Sequence, residues 1–334
     1  MKKHIQKIPT AGMSREDWLI ERRKSLGGSD MGAVLGLNPW RSPYAVWAEK
    51  TGRIIEDRDN EAMRIGRDLE PYVAQRFCEA SGFTVRRVNA LLRNPAFPHL
   101  HANIDREVSG ISAGLECKTA SALNEKAFGG GDFPANYYAQ CVSYLAVTEY
   151  RRWFLAVLVM GREFKIYQMT REPDDPCPDW CESSVYVSDG EIQTLKEAAE
   201  SFWALVENDT PPAVDGSEST TGALQTIYAE ARPETVDLSM PSIETAVRAF
   251  LKLKAEEKER KRLLDEQANI IKEYMKDAER GACQYGKVTW LSQTRESFDR
   301  KAFEEAYPTI DLSNFYKSNT SRVFKITATE KKGA

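Results

Sequence analysis

Hydrophobic and polar positions along this chain follow two periods, and the switches between them divide it into helices and strands. Leu69, Val73 and Phe77 recur at i, i+4 and i+8 and predict a helix over 60–80 that Gly82 stops. Pro71 lacks an N–H, so this helix either kinks there or starts anew. Ile192, Leu195, Ala199, Phe202 and Leu205 or Val206 make the stripe of another helix over 189–207. Period two governs the strands expected at 83–93, 100–108 and 111–118. WFLAVLVM is almost wholly apolar and predicts a central buried strand within 151–160, joined round Gly161 to a second over 163–170. A helix from Pro134 through NYYAQCVSYLAV precedes them.

Shorter helices are signalled by their ends. SREDWLIERRK (14–24) opens on Ser14 as N-cap, with Asp17 in the first turn and basic residues last. Gly27 and Gly28 allow a sharp turn, after which Ser29 and Asp30 can cap a helix ending near Gly36. Pro43 to Lys50 is a third, with Tyr44 and Trp47 on one face. Prolines and small polar residues at 208–221 read as a linker or domain edge between a first domain, 1–207, and a C-terminal region, 222–334. That region opens on a long helix over 242–279, capped by Ser242, whose charged centre alternates in sign and so reads as a solvated face. Strands at 283–292 and 321–328 flank a small helix, 299–306.

The stretch HANIDREVSGISAGLECKT (101–119) carries the densest chemistry. Ser109, Gly110, Ser112 and Gly114 favour a turn, hence a β-hairpin. Folding it near Gly110 and Ile111 sets Asp105 opposite Glu116, and period two puts Glu116 and Lys118 on one face with Leu115 and Cys117 on the other. Two adjacent acids repel, and a divalent cation relieves the cost; oxygen ligands suit Mg²⁺ or Mn²⁺. A lysine beside such an ion can orient or deprotonate a water. The same residues also describe a surface hairpin with a cross-strand salt bridge worth at most about 1 kcal/mol, and spacing alone leaves both open. The turn at Gly27-Gly28 feeds a helix N-terminus with arginines just upstream, which suits an anion pocket or an ordinary capped turn. Glu70 is a surface acid, a helix-end charge or an extra metal-facing carboxylate. Gln140 and Tyr144 share a helix face. His99 and His101 stand at a strand start, where histidine is more often structural, and are not taken as ligands.

Composition narrows the class. At 334 residues the chain holds one large domain or two modest ones. No apolar run approaches the roughly 20 residues that span a bilayer, and MKKHIQKIPT lacks the apolar segment of a secretory signal. Six scattered cysteines suit buried free thiols in a reducing cytosol, and Cys177 and Cys181 have no second pair at zinc spacing. A net charge of −4 argues against a general nucleic-acid coat protein, but not against a local basic groove built from Arg22 to Lys24, Arg64 and Arg67, or Arg86 and Arg87.

The order helix, strand, Asp-bearing strand, Glu-x-Lys strand, helix, strand resembles the core of the PD-(D/E)xK nucleases. Ile104-Asp105 and Glu116-Cys117-Lys118 stand for its motif, without the usual proline before the aspartate. The resemblance implies an α/β fold, a central mixed sheet flanked by helices, followed here by a C-terminal helical and β-hairpin extension. Over about 15–207 the chain is similar to the lambda exonuclease / YqaJ viral recombinase family. Trp18 and Arg22, Gly28-Ser29-Asp30, Leu35-Gly36, Ser42-Pro43-Tyr44, Lys50-Thr51-Gly52, Gly66 to Pro71, and Gln140 with Tyr144 carry that likeness.

What the family implies can be placed on this sequence. Its members digest one strand of linear duplex DNA from the 5′ end, releasing 5′-phosphomononucleotides and leaving 3′ single strands for recombination by annealing. Asp105, Glu116 and the main-chain carbonyl of Cys117 would bind Mg²⁺, with Glu70 completing a second metal position and Mn²⁺ able to substitute. Lys118 would act on the attacking water, and Gln140 and Tyr144 would line the site. Arg22 and Ser29 match the 5′-phosphate pocket. The implied partners are duplex DNA ends, two further copies in a ring-shaped trimer, and a single-strand annealing protein. The implied setting is the cytoplasm of a bacterial host, with the gene on a phage or mobile element. An endonuclease on the same core and a non-catalytic DNA-end-binding scaffold are the competing readings.

Overall fold

In the computed structural model, which describes residues 5–55, 60–317 and 322–327, the apolar run of 152–159 lies inside a six-stranded sheet, as its composition predicts. The first unit, Met1–Tyr228, contains in order β1 (Gln6–Pro9), α1 (Arg15–Arg23), β2 (Leu26–Gly27), α2 (Gly28–Val34), α3 (Pro43–Lys50), α4 (Glu61–Ser81), β3 (Val85–Arg86), β4 (Ala90–Arg93), β5 (Leu100–Ala102), β6 (Arg106–Val108) and β7 (Ala113–Ala120). After a 3₁₀ turn, Ala122–Phe128, come α5 (Ala135–Thr148), β8 (Arg152–Val159), β9 (Glu163–Thr170), β10 (Ser183–Tyr186), α6 (Asp189–Glu207) and α7 (Glu218–Ile227). The larger sheet has the order β10-β9-β8-β7-β6-β3, and a four-stranded sheet has β1-β4-β5-β2. β7 and β8 run parallel, joined through α5; the neighbouring pairs β6/β7 and β8/β9 are antiparallel. The fold is therefore a mixed sheet flanked by helices.

Alternation along β7 and β8 decides which helix each face meets. Leu115, Phe154 and Ala156 pack with Val73, Ala74 and Phe77 of α4. Trp153, Leu155 and Val157 pack with Cys141, Val142 and Leu145 of α5. Burying each large side chain contributes roughly 1.5–3 kcal/mol. Glu116 and Lys118 alternate with Leu115, so their face of β7 is the one turned to α5. Pro71 sits inside one uninterrupted α4, which ends at Gly82 in the left-handed region (φ 74°).

Several expectations need correction. The strand expected at 83–93 is two, one in each sheet, and the strand expected at 100–108 breaks at 103–105. β3 pairs with β6 and β4 with β5, so the two segments pass together from one sheet to the other. Alternation cannot show such a transfer, because apolar positions turn at least partly inward in either sheet. α2 begins two residues earlier than a Ser29 cap would give, with Gly27 as N-cap and Asp30 accepting from the Gly27 N–H at 2.8 Å. The expected linker at 208–221 ends inside a helix: α7 packs Ala223 into the core, and Thr220 Oγ1 donates to Ser42 Oγ at 2.9 Å. Of the cysteines Cys141 is buried, whereas Cys177 and Cys283 are exposed.

The second unit, Ala229–Ala334, contains α8 (Pro241–Met275), the hairpin of β11 (Arg280–Cys283) with β12 (Gly286–Thr289), α9 (Arg300–Ala306) and a 3₁₀ turn, Ser313–Phe315. Met240, not Ser242, is the N-cap of α8, because Pro241 suits the first helical position. Lys254–Glu257 and Arg262–Glu259 pair along it, each at 2.8 Å. The hairpin is local; residues 322–327 form no strand, and 321 and 328 lie outside the described residues. Among the described residues no helix is long and apolar enough to cross a membrane.

Candidate active site

The break between β5 and β6 places the first acid. Asp105 lies just before β6, in the register where Arg106 faces Leu115, so it stands across from Glu116. There the ladder stops, and the Asp105 side chain takes its place: Oδ2 accepts from the Cys117 N–H at 2.8 Å. Burial raises the Asp105 pKa well above the usual carboxylate range, and the Glu116 charge adds to this, while Lys118 opposes it.

Glu116 is 3% exposed. Its Oε1 takes the Gln140 Nε2–H at 2.6 Å and the Lys118 ammonium at 2.5 Å. Its Oε2 is buried without a hydrogen-bond partner. Gln140 Nε2 also donates to the Tyr144 hydroxyl at 2.8 Å, and that hydroxyl donates to the Asn103 carbonyl at 3.1 Å. α5 is thus tied by two side chains to both segments that carry the acids. Burial, then the Glu116 charge, raises the pKa of Tyr144, so it stays a phenol. Burial works to lower the Lys118 pKa, but Glu116 and then Asp105 outweigh it and raise it. Lys118 is therefore an ammonium, with its Nζ 5.3 Å from the Tyr137 ring centroid.

Arg22 and Ser29 line the same cleft of about 170 Å³ as Asp105, Glu116, Gln140 and Tyr144. The Arg22 guanidinium lies over Trp18, 4.7 Å from the ring centroid, and its Nη2 donates to Ser29 Oγ at 3.3 Å. Gly28 is required here: a Cβ would lie 2.5 Å from Tyr144 Cε1, so only glycine lets the turn close onto α5. A buried ionic group underlies the turn. Asp30 is fully buried and pairs with Lys50 Nζ at 2.7 Å and Arg41 Nη1 at 2.6 Å. Arg41 also pairs with Glu49, and Lys50 Nζ donates to the Arg22 carbonyl at 3.1 Å. Burial alone would raise the Asp30 pKa, but Lys50, Arg41 and Arg22 overcome it and hold it well below the carboxylate range. The sequence motif contained Asp30 and Lys50; their pairing was invisible, because 20 residues and a helix separate them.

Glu70 does not line this cleft, although its charge adds to the rise in the Asp105 pKa. Its Oε1 is held by Arg106, with Arg87 at 3.6 Å. Among the described residues no three His, Cys, Asp or Glu side chains converge as a ready-made cage for a metal. The Glu70 carboxylate, expected at a second metal position, is here paired with Arg106, which β6 places beside Asp105. One divalent ion does fit the remaining donors. Mg²⁺ uses one or two carboxylates and keeps water and phosphate oxygens for its other positions. The orphaned Glu116 Oε2 and the raised Asp105 pKa both mark charge that a cation would relieve.

Residues 17–151 match the YqaJ-like viral recombinase domain. The protein YqaJ of Bacillus subtilis (strain 168) is 35% identical over 303 residues, 89% of this chain and 90% of that protein. The chain belongs to the YqaJ-like viral recombinase family. The family domain spans the cleft from Trp18 to Tyr144. At 303 residues, the likeness to YqaJ extends beyond Tyr228 into the second unit. Solved structures similar to this YqaJ-family chain include the alkaline exonuclease LHK-Exo of Laribacter hongkongensis, 17% identical with a TM-score of 0.46 over 58% of this chain and 94% of that one. A phage related exonuclease from Haemophilus somnus 129PT is 10% identical with a TM-score of 0.39 over 55% and 96%.

Proposed function

We propose that this YqaJ-family chain is a metal-dependent exonuclease that shortens one strand of linear duplex DNA from its 5′ end. The observation that carries the reading is that Asp105 and Glu116, and the paired Arg22 and Ser29, line one cleft. A divalent cation, Mg²⁺ or Mn²⁺, held by Asp105, Glu116 and the Cys117 carbonyl would activate water and stabilise charge on the leaving 3′ oxygen. Gln140 and Lys118 hold one oxygen of Glu116, which leaves the other available to a cation. Lys118, charged by its neighbours, acts as a donor that orients water and offsets phosphate charge. Arg22 and Ser29 suit a terminal phosphate, the guanidinium for charge and the hydroxyl for a further hydrogen bond. Holding that phosphate at one end of the cleft sets the scissile bond one nucleotide away, which favours release of 5′-phosphomononucleotides.

The same reading extends to assembly. Repeated cutting without release suits a ring of three copies around the duplex, with 3′ strands passed to an annealing protein. A solution mass of one 37.8 kDa chain in the presence of DNA would remove the ring. Strand polarity tests the function itself. Duplex DNA is labelled on the 5′ or the 3′ terminus of one strand and incubated with Mg²⁺. Early release of label as mononucleotide from the 5′ terminus alone is expected; early release from the 3′ terminus contradicts the reading.

A further inference from the structure

We propose that His101 is a specificity-determining residue of the cleft: a neutral imidazole whose Nε2–H donates to an oxygen of the 5′-terminal phosphate. The proposal rests on the end-digesting reading above and deepens it. His101 is 1% exposed, yet it lines the cleft beside Arg22 and Ser29. Its Nε2 is buried without a hydrogen-bond partner. A buried polar nitrogen left unpaired carries a desolvation cost, which a ligand oxygen would remove.

The other side of the ring decides which nitrogen holds the proton. Nδ1 lies 2.9 Å from Ser25 Oγ. Ser25 is fully buried, and its Oγ also accepts from Arg93 Nη2 at 3.2 Å. Arginine only donates. Among the described residues Ser25 Oγ has no other recorded partner, so its single hydrogen goes to Nδ1. Nδ1 is then the acceptor, and Nε2 carries the N–H. Arg93 is itself held by Glu21, 3.3 Å away, which anchors the relay to α1, the helix that carries Arg22. Burial, then the Lys50 and Arg22 charges, lowers the His101 pKa well below its usual value, in keeping with a neutral ring.

The surroundings select an anion. Asp30 takes Lys50, Arg41 and the Gly27 N–H, and no hydrogen bond joins it to Nε2. Gly27 leaves the nitrogen room: a Cβ there would lie 2.9 Å from Nε2. A neutral donor beside Arg22 adds direction to charge. A 5′-hydroxyl end lacks the phosphate oxygens such a donor would bind, whereas a 5′-phosphate supplies them.

End selectivity tests this. Initial rates are measured on linear duplex with 5′-phosphate or 5′-hydroxyl ends. His101→Leu is expected to lower kcat/KM on phosphorylated ends by about tenfold or more, the worth of one hydrogen bond to a charged group, and to leave hydroxyl ends nearly unchanged. His101→Gln, which keeps a donor, is expected to restore much of the selectivity. Equal loss on both ends, or undiminished selectivity in His101→Leu, overturns the proposal. Should the variants fail to fold, ¹⁵N-histidine spectra of the wild type, which has three histidines, provide the readout in EDTA. A protonated Nε2 that shifts with 5′-phosphorylated but not 5′-hydroxyl duplex is expected; a protonated Nδ1, or identical shifts, overturns it. This arm stands even if the wild type hydrolyses nothing, an outcome that removes the exonuclease reading by itself.

Discussion

The Asp105 carboxylate accepts from the Cys117 main-chain N–H at 2.8 Å, closing by side chain the hairpin that β6 and β7 leave open. That bond holds Asp105 across from Glu116 before any ligand arrives, so like charges are brought together by the fold itself. Their repulsion is a stability cost built into a site shaped for a cation.

Asp105→Asn should therefore inactivate the enzyme and stabilise the metal-free protein. Asparagine can still accept from Cys117, but carries no charge. The folded pKa of Asp105 is raised, so the unfolded chain loses that proton first as pH rises. Wild-type stability falls from the unfolded carboxyl pKa, about 3.9, up to the folded pKa, and stays lowered above it. The advantage of Asp105→Asn should be absent in acid and grow with pH to on the order of 1–2 kcal/mol. Denaturant melts in EDTA across pH measure it, and an advantage that shrinks with pH would refute the charge argument.

Lys118→Ala should lower hydrolysis by about a hundredfold or more while leaving DNA affinity within a few-fold. Lys118 touches Glu116 and the Tyr137 ring rather than the Arg22 pocket. Near-normal turnover would show that its ammonium has no part in the chemistry.

Lys50→Met should destabilise the first unit by about 3–5 kcal/mol, because it strips Asp30 of a partner while leaving the acid fully buried. Adding Asp30→Asn should recover much of that loss. If the double variant is no more stable than Lys50→Met, the pair is not coupled and the Arg22 carbonyl contact is the main role of Lys50.

Glu70→Gln separates one ion from two. With Arg106 holding Glu70, the first Mn²⁺ titrated into the protein should bind Glu70→Gln about as well as wild type, and Asp105→Asn far more weakly. Equal weakening in both variants would place Glu70 among the ligands of the first ion.

Much of this was legible in the sequence because local rules govern it. The cap at Ser14, the stripe of α6 and the facing of Asp105 and Glu116 follow from spacing alone. What escaped was set by distant partners. Arg106 reads as an ordinary polar position in a strand, yet it claims Glu70, 36 residues earlier. His101 reads as structural, and its unpaired nitrogen emerges only when Ser25 and Gly27 are brought to it. Residues 83–93 read as one strand, and only the partners β6 and β5 reveal two sheets.

End-directed cutting by the acids of the hairpin, at a terminus recognised by the Arg22 side of the cleft, is what we propose. Its most direct measurement is Mg²⁺-dependent digestion of three substrates side by side: linear duplex with 5′-phosphate ends, the same duplex with 5′-hydroxyl ends, and closed circular duplex. Fast mononucleotide release from the phosphorylated ends, slower release from the hydroxyl ends and an intact circle are expected. Cutting of the closed circle would contradict it.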